Sequence, residues 1–279
     1  METIESIILG IVQGITEFLP ISSSAHIIVV PWLFDWGEPG LTFNVAVHMG
    51  TLLAVLLFFR SDILAMALAL PRGLAAGRPL EDPMSRMALV ILVGSIPAGI
   101  IGFTLGDQIE SLFHGGSNGS GAMIVIAIML ILVGIFMLIV ERLLPQDRTF
   151  DGIGWRDGIL IGIAQAVALI PGTSRSGATI TAGMMLGLRK EVAARFSFLL
   201  GIPAVAGAGM LEAVRLAERG MPAGQWVPFI TGGVAALVVG YLSIAFLLRF
   251  LQTNSVLLFT AYRCGFGVLI LLLVAVGWW

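Results

Sequence analysis

Long runs of apolar residues, separated by short polar loops, make up most of the chain. An α-helix needs about 20 predominantly apolar residues to cross the hydrocarbon core of a bilayer. Six segments meet or approach that length, at about 43–60, 87–105, 121–140, 196–213, 226–248 and 257–279. The pattern therefore predicts an all-α polytopic membrane protein with six transmembrane helices.

Two further apolar regions are interrupted by polar residues and proline, so that each half is only about a dozen residues long. Residues 3–34 are broken at EFLPISSSAH, and residues 158–187 are broken at PGTSRSGAT. Irregular backbone at membrane depth is tolerated only where protein or a water-filled cavity covers it. We therefore predict two re-entrant helical hairpins.

The two broken regions also resemble each other in sequence. GIVQGITEFLPISSSA, from Gly10, aligns with GIAQAVALIPGTSRSG, from Gly162, when one residue is skipped before the prolines. Further along, FNVAVHMGTLLAV from Phe43 aligns with FSFLLGIPAVAGA from Phe196. A tandem repeat is predicted, each unit holding one hairpin and three spans.

The repeat fixes the expected domain organisation. We predict a single integral membrane domain over residues 1–279, with repeat 1 at about 1–140 and repeat 2 at about 157–279. Because three crossings are an odd number, the second unit must lie upside down relative to the first. The hairpins would then enter from opposite faces and meet near the midplane, as in transporters with inverted-topology repeats.

Arginine placement gives the expected orientation. The loops 60–86 and 141–156 each contain several arginines, and the positive-inside rule makes them cytoplasmic. The loop 106–120 has no Lys or Arg and is expected outside, together with both termini. The site is expected to open outward as well, because the first hairpin enters from that side.

Composition agrees with a membrane protein and excludes other classes. The chain is 58% hydrophobic and only 11% charged, whereas soluble domains carry about 25% charged residues. The net charge of −2 gives no reason to expect a nucleic-acid partner. The single cysteine, Cys264, excludes an intrachain disulfide and Cys-x-x-Cys motifs. The acidic N-terminus does not have the pattern of a removable signal peptide.

Polar side chains concentrate at the two interruptions. An ionised group at mid-bilayer costs about 2.5–3.5 kcal/mol on insertion scales and is usually functional. An arginine fork, hydroxyls and the free amides of a helix N-terminus together describe a phosphate site, and Gly172 would let the backbone approach the ligand closely. The candidate binding residues are Gln13, Ser22, Ser24, Gly172, Thr173, Ser174, Ser176 and Thr179, around Arg175.

The first hairpin contributes groups that could catalyse a reaction at phosphate. Ser23 is the predicted nucleophile, His26 the general base or acid, and Glu17 the residue that orients His26 or binds a divalent cation. Attack by His26 itself is the alternative. Because Gln13 offers only a neutral amide oxygen, Glu17 would be a lone carboxylate at a metal site.

Structural interpretations compete with this one for each residue taken alone. The serine run could be a simple helix N-cap, His26 a packed core residue, and Arg175 the partner of Glu17 in a structural ion pair. The convergence of both clusters on equivalent repeat positions favours function. Tyr262 and Arg263, at the start of the last span, are expected to cap or buttress it.

At these residues the sequence resembles the undecaprenyl-diphosphate phosphatase family, also called bacitracin-resistance proteins. The first signature of that family appears here as QGITEFLPISSSAH and the second as PGTSRSGAT, and the similarity also runs through FNVAVHMGTLLAV, FSFLL and AYR. By position, the functional residues of the family fall on Glu17, Ser23, His26, Ser174, Arg175 and Thr179. Two positions depart from the family pattern: Gln13 stands at the first acidic position, and Ala25 where many members have glycine.

The resemblance implies hydrolysis of undecaprenyl diphosphate, a lipid-linked diphosphate, to the monophosphate that is reused as lipid carrier in cell-wall synthesis. It also implies a divalent cation, Mg²⁺ or Ca²⁺, and a multi-pass location in the bacterial plasma (inner) membrane. A transporter or flippase of polyprenyl phosphate or another anion is the runner-up, since inverted repeats with broken helices also suit alternating access. The sequence leaves the oligomeric state open, a homodimer included.

Overall fold

The fold is a bundle of helices of very unequal length. The computed structural model describes residues 2–37, 39–114, 119–221 and 224–277, which contain no β-strand. The helices are α1 (Thr3–Phe18), α2 (Ser23–Leu33), α3 (Leu41–Phe58), α4 (Arg60–Ala75), α5 (Pro83–His114), α6 (Gly119–Leu143), α7 (Trp155–Val167), α8 (Arg175–Met185), α9 (Lys190–Arg219), α10 (Trp226–Phe250) and α11 (Leu257–Ala275).

The all-α polytopic architecture is confirmed. Among the described residues, five helices are long and apolar enough to cross a membrane on their own, namely α5, α6, α9, α10 and α11. The sixth predicted span, residues 43–60, corresponds to α3, which meets α4 at a bend of 76°. The orientation of the helices in the bilayer, the two re-entrant hairpins and the boundaries of the two repeats stay predictions.

The prediction of a loop over residues 106–120 is wrong for most of its length. The span was predicted to end at about residue 105, but helix α5 continues to His114. Ile109, Leu112 and Phe113 recur at helical spacing in this stretch, so an amphipathic continuation of the helix is favoured over a loop. Residues 115–118 lie outside the described part of the chain.

The two short helices α1 and α7 each pack closely against a long helix. α1 lies against α10 and α3, and α7 lies against α5. A Cβ atom at Gly10 would collide with the carbonyl oxygen of Gly232 on α10, and one at Gly162 with that of Gly94 on α5. Glycine is therefore required at both contacts, because the backbones approach too closely for any side chain.

The breaks that follow α1 and α7 lie next to each other in the bundle. α8 packs on α9 and α6, and α1 also reaches α8. On the other side, Ala25 and Val29 of α2 share a buried apolar cluster with Ile126 and Leu130 of α6 and with Ile270 of α11. The breaks between α1 and α2 and between α7 and α8 are thus enclosed by α6, α9 and α11.

Candidate active site

Each short helix pair is joined by a loop that ends in a serine with unusual backbone geometry. Ser22 precedes α2 with φ 77°, and Ser174 precedes α8 with φ 70°. Positive φ is uncommon for any residue other than glycine, and such strain concentrates at functional sites. The Oγ of each serine lies 3.2 Å from the Oγ of the serine two residues later, Ser24 or Ser176. The two loops therefore share a conformation as well as a composition.

This shared geometry changes the alignment of the two hairpins. Ser22 and Ser174 are 152 positions apart, and so are Gln13 and Gln165. No residue has to be skipped between these pairs, so the skip before the prolines in the sequence alignment is wrong. The N-cap serines Ser22 and Ser174 correspond in backbone conformation, whereas Pro20 and Pro171 are 151 positions apart and so differ from that register by one residue.

The loop between α1 and α2 and the loop between α7 and α8 are in direct contact. The hydroxyl of Ser176 donates to the carbonyl oxygen of Leu19 at 3.0 Å, and the amide of Gly172 donates to Ser24 Oγ at 3.4 Å. Nη2 of Arg175 lies 3.2 Å from Oε1 of Glu17. Residues more than 140 positions apart thus form one polar centre inside an apolar bundle.

The carboxylate of Glu17 connects the other side chains of this centre through hydrogen bonds. Oε1 of its carboxylate pairs with Arg175, whereas Oε2 accepts hydrogen bonds from Ser23 Oγ at 2.8 Å and from Gln13 Nε2 at 3.1 Å. Gln13 and Glu17 are four residues apart on α1 and therefore share one face of the helix. A serine hydroxyl bonded to a buried carboxylate has a proton acceptor in place, as an activated nucleophile requires.

Two hydrogen-bond donor atoms of Arg175 have no acceptor among the described residues. Its Nε and Nη1 are buried and have no hydrogen-bond partner among the described residues, and neither has the hydroxyl of Thr173. Leaving a buried donor unpaired costs about 1–3 kcal/mol, so these groups are poised for an acceptor that the chain itself does not provide. The guanidinium also lies against Gly201 of α9, where a Cβ atom would overlap it.

Comparison with known proteins identifies the family. The family model described as bacitracin resistance protein BacA matches residues 6–269, nearly the whole chain. This chain belongs to the bacitracin resistance protein BacA family. With five apolar helices of membrane-spanning length in its described part, it is a multi-pass protein of the bacterial inner membrane.

Curated relatives of the BacA-family chain share close to half of its residues. A protein named undecaprenyl-diphosphatase from Thermomicrobium roseum is 52% identical over 275 residues, covering 99% of both chains. Proteins of the same name from Myxococcus xanthus and Geobacter sulfurreducens are 46% and 45% identical, covering 99% and 94% of this chain and 91% and 95% of their own. The similarity therefore extends over both hairpins and all the long helices.

The third candidate catalytic residue of this BacA-family chain, His26, is placed differently from the expectation. Its Nδ1 lies 2.7 Å from the carbonyl oxygen of Ser22, and its Nε2 lies 2.7 Å from the hydroxyl of Tyr262. His26 was predicted to be the general base or acid for Ser23, but no hydrogen bond joins these two side chains among the described contacts. The reason is local, because the first turn of α2 directs the ring back to Ser22, whereas Ser23 faces Glu17.

Three of the residues expected to contact substrate are engaged elsewhere. Gly172 has φ 89°, and its missing side chain makes room for the backbone of Ile126 on α6 instead of for a ligand. The hydroxyl of Ser176 donates a hydrogen bond to the carbonyl oxygen of Leu19. Thr179 is fully buried, donates to the carbonyl oxygen of Arg175 and is hydrogen-bonded to Ser197. These residues shape the loop, and Thr179 holds the backbone from which the Arg175 side chain projects.

Arg263 of α11 belongs to the site, although its position in the sequence did not predict this role. Its side chain is completely buried, so it stabilises the interior of the bundle and does not cap the last span. Its guanidinium donates to five carbonyl oxygens at 2.9–3.2 Å, namely those of Pro20, Met129, Leu130, Gly172 and Thr173. One side chain thus joins the loops of both hairpins to α6. An arginine seven residues into an apolar span was the available signal, because such a charge is expensive unless it is used.

The charges of the described centre do not balance. Arg175 and Arg263 are two cations, and Glu17 is the one carboxylate hydrogen-bonded to either of them in the described part of the chain. A buried charge without a counter-ion is costly. The centre is therefore electrostatically suited to bind an anion.

Replacing Arg263 by methionine is expected to destabilise the protein strongly. The substitution keeps an apolar stem but removes the donor from the loop carbonyl groups of Pro20, Gly172 and Thr173, and we expect a loss of about 2–4 kcal/mol. Thermal unfolding of the purified protein in detergent measures the effect. Arg60→Met is the matched control, because exposed Arg60 donates to a single carbonyl group, that of Leu57. Equal unfolding midpoints for the two variants would contradict the role of Arg263.

Proposed function

We propose that this protein hydrolyses undecaprenyl diphosphate to undecaprenyl phosphate and inorganic phosphate, and so returns the lipid carrier to cell-wall synthesis. The observation that carries the proposal is the pairing of a hydroxyl nucleophile with a carboxylate, Ser23 with Glu17, beside unpaired donors of Arg175. The names of the curated relatives point to the same substrate. An enclosed polar centre in a membrane bundle also suits a substrate with an isoprenoid tail.

Arg175 and Thr173 bind the diphosphate. Nε and Nη1 of the guanidinium and the threonine hydroxyl are donors without protein acceptors, and an arginine fork matches two phosphate oxygens. The N-terminus of α8, which begins at Arg175, adds its positive dipole end. The apolar outer faces of the long helices leave the tail in contact with lipid.

Ser23 attacks the terminal phosphorus while Glu17 takes the hydroxyl proton. The Oγ–P bond forms as the bond from phosphorus to the bridging oxygen breaks, and undecaprenyl phosphate leaves. Protonation of Glu17 weakens its ion pair with Arg175, so the guanidinium is free to stabilise the charge on the transferred group. Both ring nitrogens of His26 already have partners, which favours Ser23 over His26 as the nucleophile.

A second displacement completes the cycle. Water attacks the phosphoserine, the P–Oγ bond breaks, and Ser23 regains its proton from Glu17. The proton of the attacking water ends on Nε2 of His26, which is the basic nitrogen because Nδ1 donates to a carbonyl group. The products are inorganic phosphate and the free serine.

A transporter or flippase would need the anion site but not this chemistry. Transport is served by Arg175, Thr173 and a path across the bilayer, whereas it has no use for a serine whose hydroxyl rests on a carboxylate. The Ser23–Glu17 hydrogen bond is therefore the feature that favours hydrolysis.

Phosphate release from farnesyl diphosphate by the purified protein tests the proposal. We expect Ser23→Ala and Glu17→Gln each to lower turnover at least about 100-fold, since each removes a partner in the proton transfer. Ser85→Ala, at the start of α5 and remote from the loops, is the control and should retain wild-type turnover. Wild-type rates in both Ser23→Ala and Glu17→Gln would exclude the mechanism, and a wild-type protein that binds diphosphate without releasing phosphate would favour transport.

A divalent cation, Mg²⁺ or Ca²⁺, fits this site only together with the substrate. No group of three or more His, Cys, Asp or Glu side chains occurs within the described residues. Glu17 and the unpaired Oε1 of Gln13 would hold the ion, and phosphate oxygens would complete its coordination, as is common for Mg²⁺. When bound, the ion would neutralise charge on the diphosphate.

The cation proposal is tested by chelation and by adding a second carboxylate. EDTA is expected to abolish phosphate release and Mg²⁺ to restore it. Gln13→Glu should lower the Mg²⁺ concentration for half-maximal activity several-fold, whereas Gln165→Glu, at the equivalent position of the second hairpin, should not. Full activity in excess EDTA would rule out the requirement.

Gly201 provides a test of Arg175 that leaves the arginine in place. Gly201→Ala puts a methyl group where the guanidinium lies, so Arg175 must move and substrate binding should weaken. Loss of charge-assisted hydrogen bonds worth about 1.5–3 kcal/mol corresponds to a rise in KM of roughly 10- to 100-fold. Gly207→Ala on the same helix meets open space and is the control. An unchanged KM in Gly201→Ala would contradict the placement of Arg175.

A further inference from the structure

The hydrogen bonds of His26 determine which of its nitrogens carries the proton. A carbonyl oxygen can only accept, so the 2.7 Å contact with Ser22 requires a proton on Nδ1. In the neutral ring Nε2 is then an acceptor, and the hydroxyl of Tyr262, 2.7 Å away, must donate to it. The carbonyl group of Ser22 therefore sets the tautomer, and Tyr262 donates to the basic nitrogen, Nε2.

The rest of the ring is enclosed. His26 is only 4% exposed, and its ring stacks on Phe266 with centroids 4.4 Å apart and on Tyr262 at 5.6 Å. Tyr262, by contrast, is 46% exposed. Within the described contacts, the phenol hydroxyl is the one side-chain group hydrogen-bonded to Nε2.

The charged groups around His26 are committed to other partners. On α11, the guanidinium of Arg263 is turned to the loop carbonyl groups. On α1, Glu17 is bonded to Ser23 and Arg175. The neighbouring surface of α6 is apolar, formed by residues such as Ile126 and Leu130. No described acid or base other than Tyr262 contacts the imidazole nitrogens.

We infer that Tyr262 is a positioning residue for His26 and carries protons between its Nε2 and the active-site water. The inference rests on the proposed phosphatase function and assigns the path of one proton in its second step. As the water oxygen bonds to phosphorus and the P–Oγ bond of Ser23 breaks, water gives a proton to the Tyr262 oxygen and Tyr262 gives its own proton to Nε2. Glu17 returns its proton to Ser23, and His26 later releases its proton along the same path to the departing phosphate.

Tyr262→Phe removes the hydroxyl and keeps the stacked ring. We expect turnover to fall at least about tenfold, with KM falling by a similar factor and kcat/KM within about twofold of wild type, because the step after formation of the phosphoserine slows. Because the second step is the one that slows, labelled phosphoserine should accumulate in the variant. Tyr241→Phe is the matched control, since Tyr241 is the other tyrosine of the chain and contacts Phe58 instead. Wild-type turnover without phosphoenzyme accumulation in Tyr262→Phe would overturn the inference.

Two further measurements keep the test independent of folding and of the proposed function. In the Tyr241→Phe background, fluorotyrosine labels Tyr262 alone, and its more acidic hydroxyl should move the alkaline limb of the pH–rate profile to lower pH. ¹⁵N spectra of labelled histidine should show His26 with a protonated Nδ1 in wild type and a changed Nε2 signal in Tyr262→Phe. An unmoved pH profile or an unchanged Nε2 signal would refute the role of Tyr262, whereas absence of phosphate release by wild type would refute the phosphatase proposal alone.

Discussion

The site depends on how backbone groups are satisfied where two helices break inside an apolar bundle. Lipid offers no hydrogen bonds to a broken helix, so its free carbonyl groups need donors from the protein. Arg263 supplies them to both breaks at once, reaching Pro20 of the first loop and Gly172 and Thr173 of the second. The same contacts fix the loops against each other. Without this buried guanidinium, the loop carbonyl groups would lack a donor, and the two loops would not keep the geometry that brings Glu17 to Arg175.

Burial also decides the chemistry of the centre. Electrostatic interactions are stronger in a low dielectric, so an unneutralised positive charge there attracts an anion strongly. Glu17 occupies one side of the Arg175 guanidinium and leaves two other donor atoms unpaired. The carboxylate that neutralises the arginine is also the acceptor for the Ser23 proton. Proton transfer and phosphate binding are therefore coupled through a single side chain.

The sequence was sufficient to predict features that are local or that follow from membrane physics. The interruptions of two apolar stretches predicted both short helix pairs. The serine, arginine and glutamate residues at these interruptions predicted the polar centre. The missed features depend on contacts between distant helices. The approach of Gly172 to α6, the reach of Arg263 into both loops and the bond between Tyr262 and His26 leave no periodic pattern in the chain. Likewise, Ser23 and His26 are only three residues apart in the sequence. The direction of the first turn of α2, which the sequence does not reveal, makes their side chains face different partners.

The most direct test of the account is an experimental structure with a non-hydrolysable farnesyl diphosphate analogue in which a methylene group replaces the bridging oxygen. The account predicts the terminal phosphonate at hydrogen-bond distance, about 2.7–3.1 Å, from Nε and Nη1 of Arg175, with Ser23 Oγ facing its phosphorus. An analogue bound away from both loops, or loops separated so that Arg175 and Glu17 no longer share one site, would contradict it.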